Sequence, residues 1–104
     1  KVIKNGKNGQ SYNISAKNEI NNITIVKKIL DLMDKTEDLI EFVEDRPGHD
    51  FRYSMDSTKI RTELEWTESV KFEEGLKKTV QWYLDNGDWW NKLSSTILNK
   101  KPWK

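Results

Sequence analysis

The sequence predicts an α/β chain, α+β when taken by itself, of about three helices and two short strands. Three observations predict it. Apolar residues recur at helical spacing over three stretches. Two runs of β-type residues flank the first of them. With 104 residues, of which 35% are hydrophobic, there is material for one small domain with a modest core.

In chain order, Lys4 to Gln10 holds two Asn-Gly pairs and reads as turns unsuited to a helix or strand interior. Ser11 to Ser15 alternates Tyr12 and Ile14 with polar neighbours, the pattern of a strand. Asn21 and Asn22 precede Ile23, Val26, Ile29, Leu30 and Met33. These spacings place one apolar face on a helix with Asn as its N-cap, ending near Met33 to Lys35. Leu39 to Glu44, with Ile40, Phe42 and Val43, is the second strand candidate. It runs into Asp45-Arg46-Pro47-Gly48-His49-Asp50, where Pro-Gly turns the chain. Asp56 or Ser57 caps a short helix over Thr58 to Leu64. Phe72 to Asn86 carries the stripe Phe72, Leu76, Val80, Tyr83 and Leu84, with Asn86-Gly87 as its stop. Two short strands make no independent sheet, so the expectation is part of a sheet whose other strands lie elsewhere.

Composition excludes several classes. There is no Cys, hence no disulfide framework, thiolate metal site or cysteine nucleophile, and a single His makes no histidine-built zinc site. Eighteen Lys+Arg against seventeen Asp+Glu give a net charge of +1, which implies no nucleic-acid partner. No run approaches the roughly 20 apolar residues of a membrane span. The first residue is Lys1 with no hydrophobic signal core behind it, so the expectation is a cytoplasmic chain processed or cut from something larger. No glycine-rich Gly-x-Gly-x-x-Gly loop, Walker-type Gly-Lys-Ser/Thr or Gly-x-Ser-x-Gly elbow occurs.

The charge is uneven. Asp31 to Asp56 holds nine acids and three bases, and two of those bases, Arg46 and Arg52, are among only three arginines in the protein, against fifteen lysines. An Arg presented by a Pro-Gly turn after a strand offers a planar fork for two phosphate oxygens. His49 beside it is a donor to a phosphate or sugar oxygen. The alternative is a turn in which Arg46 and Arg52 pair with Asp45, Asp50 or Asp56. Asn22 likewise reads either as the helix N-cap or as an amide contacting a base or ribosyl group at the positive helix end. Among Trp66, Trp82, Trp89, Trp90 and Trp103, any one has a face to stack on a base, although Trp82 fits a packed helix edge and Trp89-Trp90 a helix seal. Arg61 and Lys77-Lys78 read as solvated helix faces.

These residues carry a resemblance. The series Tyr12-Asn13-Ile14, Asn18-Glu19, Asn22-Ile23, Asp45-Arg46-Pro47-Gly48-His49-Asp50-x-Arg52-Tyr53, Asp56-x-x-Lys59-Ile60, Glu63-Leu64-x-Trp66 and Phe72-Glu73-Glu74-Gly75-Leu76-x-x-Thr79-Val80-x-Trp82-Tyr83 resembles the C-terminal third of dTDP-glucose 4,6-dehydratases. These belong to the extended short-chain dehydrogenase/reductase superfamily, and the resemblance covers about residues 5 to 90. It implies the C-terminal substrate-binding part of an extended Rossmann-type dehydratase. Residues 1–90 would be a nucleotide-sugar-binding segment and 91–104 a tail rich in Lys and Trp. The parent would bind NAD through an N-terminal Rossmann portion that also carries the catalytic groups. It would convert dTDP-glucose to its 4-keto-6-deoxy form and act as a homodimer.

Carried over residue by residue, the resemblance puts Arg46 and His49 on the nucleotide diphosphate and Asn22 on the nucleotide. It gives this chain no catalytic residue, no NAD contact and no metal ligand, so the segment is expected to be inactive alone. The rival readings are a segment of another nucleotide-sugar epimerase or dehydratase, such as a UDP-sugar enzyme, and a non-catalytic remnant that binds a nucleotide sugar or a protein. The sequence departs from the family pattern at Ser15-Ala16 (usually Gly-Gly), Glu65 (usually Gly), Thr67-Glu68 (usually Lys-Pro) and Lys71 (usually Thr).

Overall fold

A computed structural model describes residues 1–93. Its elements are α1 (Val2–Asn5), α2 (Asn22–Leu32), a 3-10 turn (Glu37–Leu39), α3 (Thr58–Leu64), α4 (Phe72–Asp85) and α5 (Gly87–Trp90). Trp103 and most of the expected tail lie outside the described residues.

The three expected helices form where the apolar spacing places them. Asn21 is the cap of α2, its Oδ1 accepting from the Thr24 amide at 2.9 Å. Asn22 is therefore the first residue inside the helix rather than the cap. Both residues proposed as caps contribute to α3, but differently. Ser57 holds the cap position without a side-chain cap bond. Asp56 Oδ1 instead accepts from the amide and hydroxyl of Thr58, at 2.9 and 2.6 Å. At α4, Lys71 occupies the cap position and makes no side-chain cap bond. Among the described residues, Leu30 of α2, Ile60 and Leu64 of α3 and Val80 of α4 are the buried hydrophobic residues. Lys28 and Glu73 tie α2 to α4 at 2.9 Å. Trp90 Nε1 donates to the Tyr83 carbonyl at 2.9 Å, so this tryptophan closes the end of α4.

Neither expected strand forms, and no strand is present among the described residues. A strand is stable only when its backbone N–H and C=O groups find a second strand, and neither segment has one here. Residues 11–15 lie against α3 through side chains instead. The Tyr12 hydroxyl donates to Glu63 Oε2 at 3.2 Å, and Lys59 Nζ sits 4.8 Å from the Tyr12 ring centroid. Leu39 ends the 3-10 turn, and the backbone at Ile40 is extended (φ −84°, ψ 120°) without a ladder. Phe42 and Val43 are left 86% and 67% exposed, which two core-facing strand residues would not be. The first turn region also differs from expectation. The Lys1 carbonyl accepts from the amides of Lys4 and Asn5, which winds one helical turn ending at Gly6. A Cβ at Gly6 would stand 2.5 Å from the Val2 carbonyl oxygen, so glycine is required at that stop.

Candidate functional site

A groove of about 790 Å³ opens between the run that leads into α2 and the arm around the Pro-Gly turn. Asn18, Glu19 and Asn22 line one side; Asp45, His49 and Tyr53 are among those lining the other. Small-molecule sites span roughly 300–1,000 Å³, so the volume suits a ligand of that class.

The turn is built by local chemistry. The Arg46 carbonyl accepts from the His49 amide at 3.2 Å. Gly48 has φ +68°, in the left-handed region that a Pro-Gly type II turn assigns to glycine. Asp45 Oδ1 accepts from the Arg46 amide at 2.8 Å and from His49 Nδ1 at 2.5 Å. These bonds, the histidine first, hold the Asp45 carboxyl below the usual carboxylate range. With Nδ1 committed to Asp45, Nε2 is the ring nitrogen left for a ligand.

Structure brings two of the three expected residues, Asn22 and His49, into one groove. Arg46 is not part of the lining, yet it adjoins it. Its Nη2 donates to the hydroxyl of groove-lining Tyr53 at 3.3 Å. Among the described residues Arg46 forms no ion pair, so the expected alternative pairing with Asp45, Asp50 or Asp56 does not occur. A guanidinium carries five donors, and one bond to a neutral hydroxyl leaves the rest able to meet an anion.

Arg52 does pair, but with Glu19, and Ser54 Oγ donates to the other oxygen of the same carboxylate. The Ser54 hydroxyl and then Arg52 hold the Glu19 carboxyl below its usual range. This clamp joins the two sides of the groove. Its partners are 33 residues apart, and no spacing rule links them. Arg61 is a correction to the sequence reading. Rather than a solvated helix face, its side chain is only 22% exposed and bonds Ser57, Ser15 and Glu68. The signal available was the scarcity of arginine, which singled out Arg46 and Arg52 and applies equally to Arg61. Among the described residues no cluster of three or more His, Asp or Glu is placed to hold a metal ion, and no helix is long and apolar enough to cross a membrane.

Comparison with known proteins adds the family. A family described as GDP-mannose 4,6 dehydratase matches residues 3–79. A dTDP-glucose 4,6-dehydratase of Neisseria meningitidis serogroup B is 48% identical over 103 residues, covering 88% of this chain and 29% of that protein. One from Streptomyces niveus is 46% identical over 94 residues, covering 90% of this chain and 28% of that protein. The crystal structure of dTDP-glucose 4,6-dehydratase from Bacillus anthracis str. Ames in complex with NAD aligns with a TM-score of 0.83 and 42% identity. That alignment covers 89% of this chain and 29% of that one. The chain thus spans less than a third of the length of the relatives it matches. With its family match extending over most of its residues, the chain belongs to the GDP-mannose 4,6 dehydratase family, and along most of its length it is similar to dTDP-glucose 4,6-dehydratases.

Proposed function

We propose that this chain is the nucleotide-sugar-binding portion of a dTDP-glucose 4,6-dehydratase. In this reading a dTDP-sugar lies in the groove, with Asn22 on the nucleotide and Arg46 and His49 on the diphosphate. The observation that carries it is the meeting of Asn22 and His49 across one groove, with the Arg46 guanidinium beside it and, among the described residues, bonded only to Tyr53. Two of the three acids that line the groove are already engaged, Glu19 by Arg52 and Ser54, and Asp45 by His49; the third, Asp50, has no side-chain partner among the described residues. A diphosphate entering there meets the donors of Asn22 and His49 and one uncompensated carboxylate rather than three. Each charge-assisted hydrogen bond to it contributes on the order of 1.5–3 kcal/mol.

The portion of the parent that binds NAD and performs the chemistry would be the Rossmann part, which is also the partner for the exposed 39–44 segment. This chain holds no glycine-rich loop and no Tyr-x-x-x-Lys; Tyr53 has Lys59 six residues on, not four. Its residues do not fit the dinucleotide, and no step of that chemistry is assigned to them. What the chain does is hold the substrate at a distance from the reacting carbons and so orient it. A homodimeric, cytoplasmic parent belongs to the same reading.

Titration calorimetry of the chain with dTDP tests the proposal. Binding that is weakened by Arg46→Ala supports it; unchanged affinity removes Arg46 from the site. The family description names a GDP-sugar enzyme, which favours one second reading, a dehydratase or epimerase portion with another base. Competition among dTDP, UDP and GDP separates the two.

A further inference from the structure

We infer that Arg61 is a positioning residue for the groove, fixing the main chain at Ser15 just ahead of the groove-lining run that begins at Asn18. The Ser15 carbonyl oxygen accepts two hydrogen bonds, from the hydroxyl of fully buried Ser57 at 2.8 Å and from Arg61 Nη2 at 2.9 Å. Both lone pairs of that oxygen are thereby used.

The guanidinium is itself held on several sides. Its Nε donates to Ser57 Oγ at 3.1 Å and its Nη2 to Glu68 Oε2 at 2.9 Å, and it lies 5.0 Å from the Trp66 ring centroid. Arg61 and Glu68 are each only 22% exposed, which sets this pair apart from the more exposed surface pairs of the chain. Directly after the anchored carbonyl, Ser15 Oγ accepts from the Lys17 amide at 3.1 Å, and Lys17 takes φ +56°, turning the chain toward Asn18 and Glu19. Residues 15 to 17 thus form a fixed corner, and the groove wall extends from it. Two of the corner's ties, the Ser15 hydroxyl and the Glu68 carboxylate, come from positions at which the sequence departs from the dehydratase pattern.

The effect on ligand affinity rests on the nucleotide reading, so the test has two arms. Arg61→Met, Arg61→Lys and, as a control in the same helix, Ile60→Val are compared by dTDP calorimetry, thermal unfolding and amide NMR shifts of Asn18 to Asn22. Arg61→Met is expected to weaken dTDP by about tenfold, the scale of one lost hydrogen bond, and to move those shifts. Arg61→Lys keeps the charge near Glu68 but not the fork, and should recover only part of the affinity. Ile60→Val should lower Tm while leaving affinity and shifts in place. The inference is overturned if Arg61→Met lowers Tm but alters neither affinity nor shifts. Should Arg61→Met not fold, Arg61→Lys decides by the same comparison. Should the wild-type chain not bind dTDP, the nucleotide reading fails, and the NMR arm alone still decides whether Arg61 sets the corner.

Discussion

Glu19 and Arg52 form an ion pair that joins the two walls of the groove, and Ser54 completes it from the Arg52 side. Both partners are substantially exposed, at 49% and 66%, and exposed pairs contribute little to global stability. The consequence falls on the groove instead. Glu19→Gln is expected to leave Tm nearly unchanged and to weaken dTDP several-fold, as measured by calorimetry beside a thermal melt.

Arg46 offers the sharpest chemical test. Arg46→Lys keeps the charge and loses the planar fork. Arg46→Ala should weaken dTDP by roughly 10- to 100-fold, corresponding to one charge-assisted bond, with Arg46→Lys between that and wild type. Equal affinity for Arg46→Lys and wild type would show that only the charge is used.

Asn21 and Asn22 separate a cap from a contact. Asn21→Ala removes the bond to the Thr24 amide and should cost about 1 kcal/mol of stability, read as a lower Tm. Asn22→Ala leaves that bond intact and should act on dTDP affinity rather than on Tm.

Glu65 is the residue after α3 and has φ +47°, in the left-handed region where the dehydratase pattern places glycine. A side chain there is strained, and the C-terminal position of a helix commonly takes glycine for that reason. Glu65→Gly is expected to stabilise the chain by about 1 kcal/mol, raising Tm by roughly 4–8 °C. An unchanged or lower Tm would show that the backbone relaxes without it.

Four carboxyls are held below their usual range in the folded chain. Glu19 is held by Ser54 and Arg52, Asp45 by His49 and the Arg46 amide, Asp56 by the Thr58 hydroxyl and amide, and Glu68 by its own backbone amide and Arg61. Each binds a proton less readily when folded than when unfolded. Their contribution is therefore present above the unfolded values near 4 and lost as pH falls through the lower folded ones. Thermal melts should show Tm level from neutral pH to about 5 and declining below about 4, with a shallower decline in Asp45→Asn.

The three longer helices were legible because their information is local: the apolar faces of 22–32, 58–64 and 72–85 lie within single stretches, whereas the single turns α1 and α5 carry no such face. The strands were misread for the opposite reason. Ile40, Phe42 and Val43 have the residue types of a strand, but a strand exists only with a neighbour. The site divides in the same way. Asn22 and His49 could be placed in one site through motif resemblance, whereas the Glu19–Arg52 clamp and the Arg61–Ser15 anchor join residues 33 and 46 positions apart. No period in the sequence encodes either.

Among the described residues the buried apolar core comprises Leu30, Ile60, Leu64 and Val80, and none of these belongs to the 40–56 arm. One wall of the groove is therefore secured by polar side-chain ties and not by the hydrophobic interior. Binding strength observed for such a receptor is its intrinsic strength scaled by the share of molecules whose wall stands in register. A crosslink or a companion polypeptide that braced the arm would accordingly tighten the proposed nucleotide capture without touching the nucleotide.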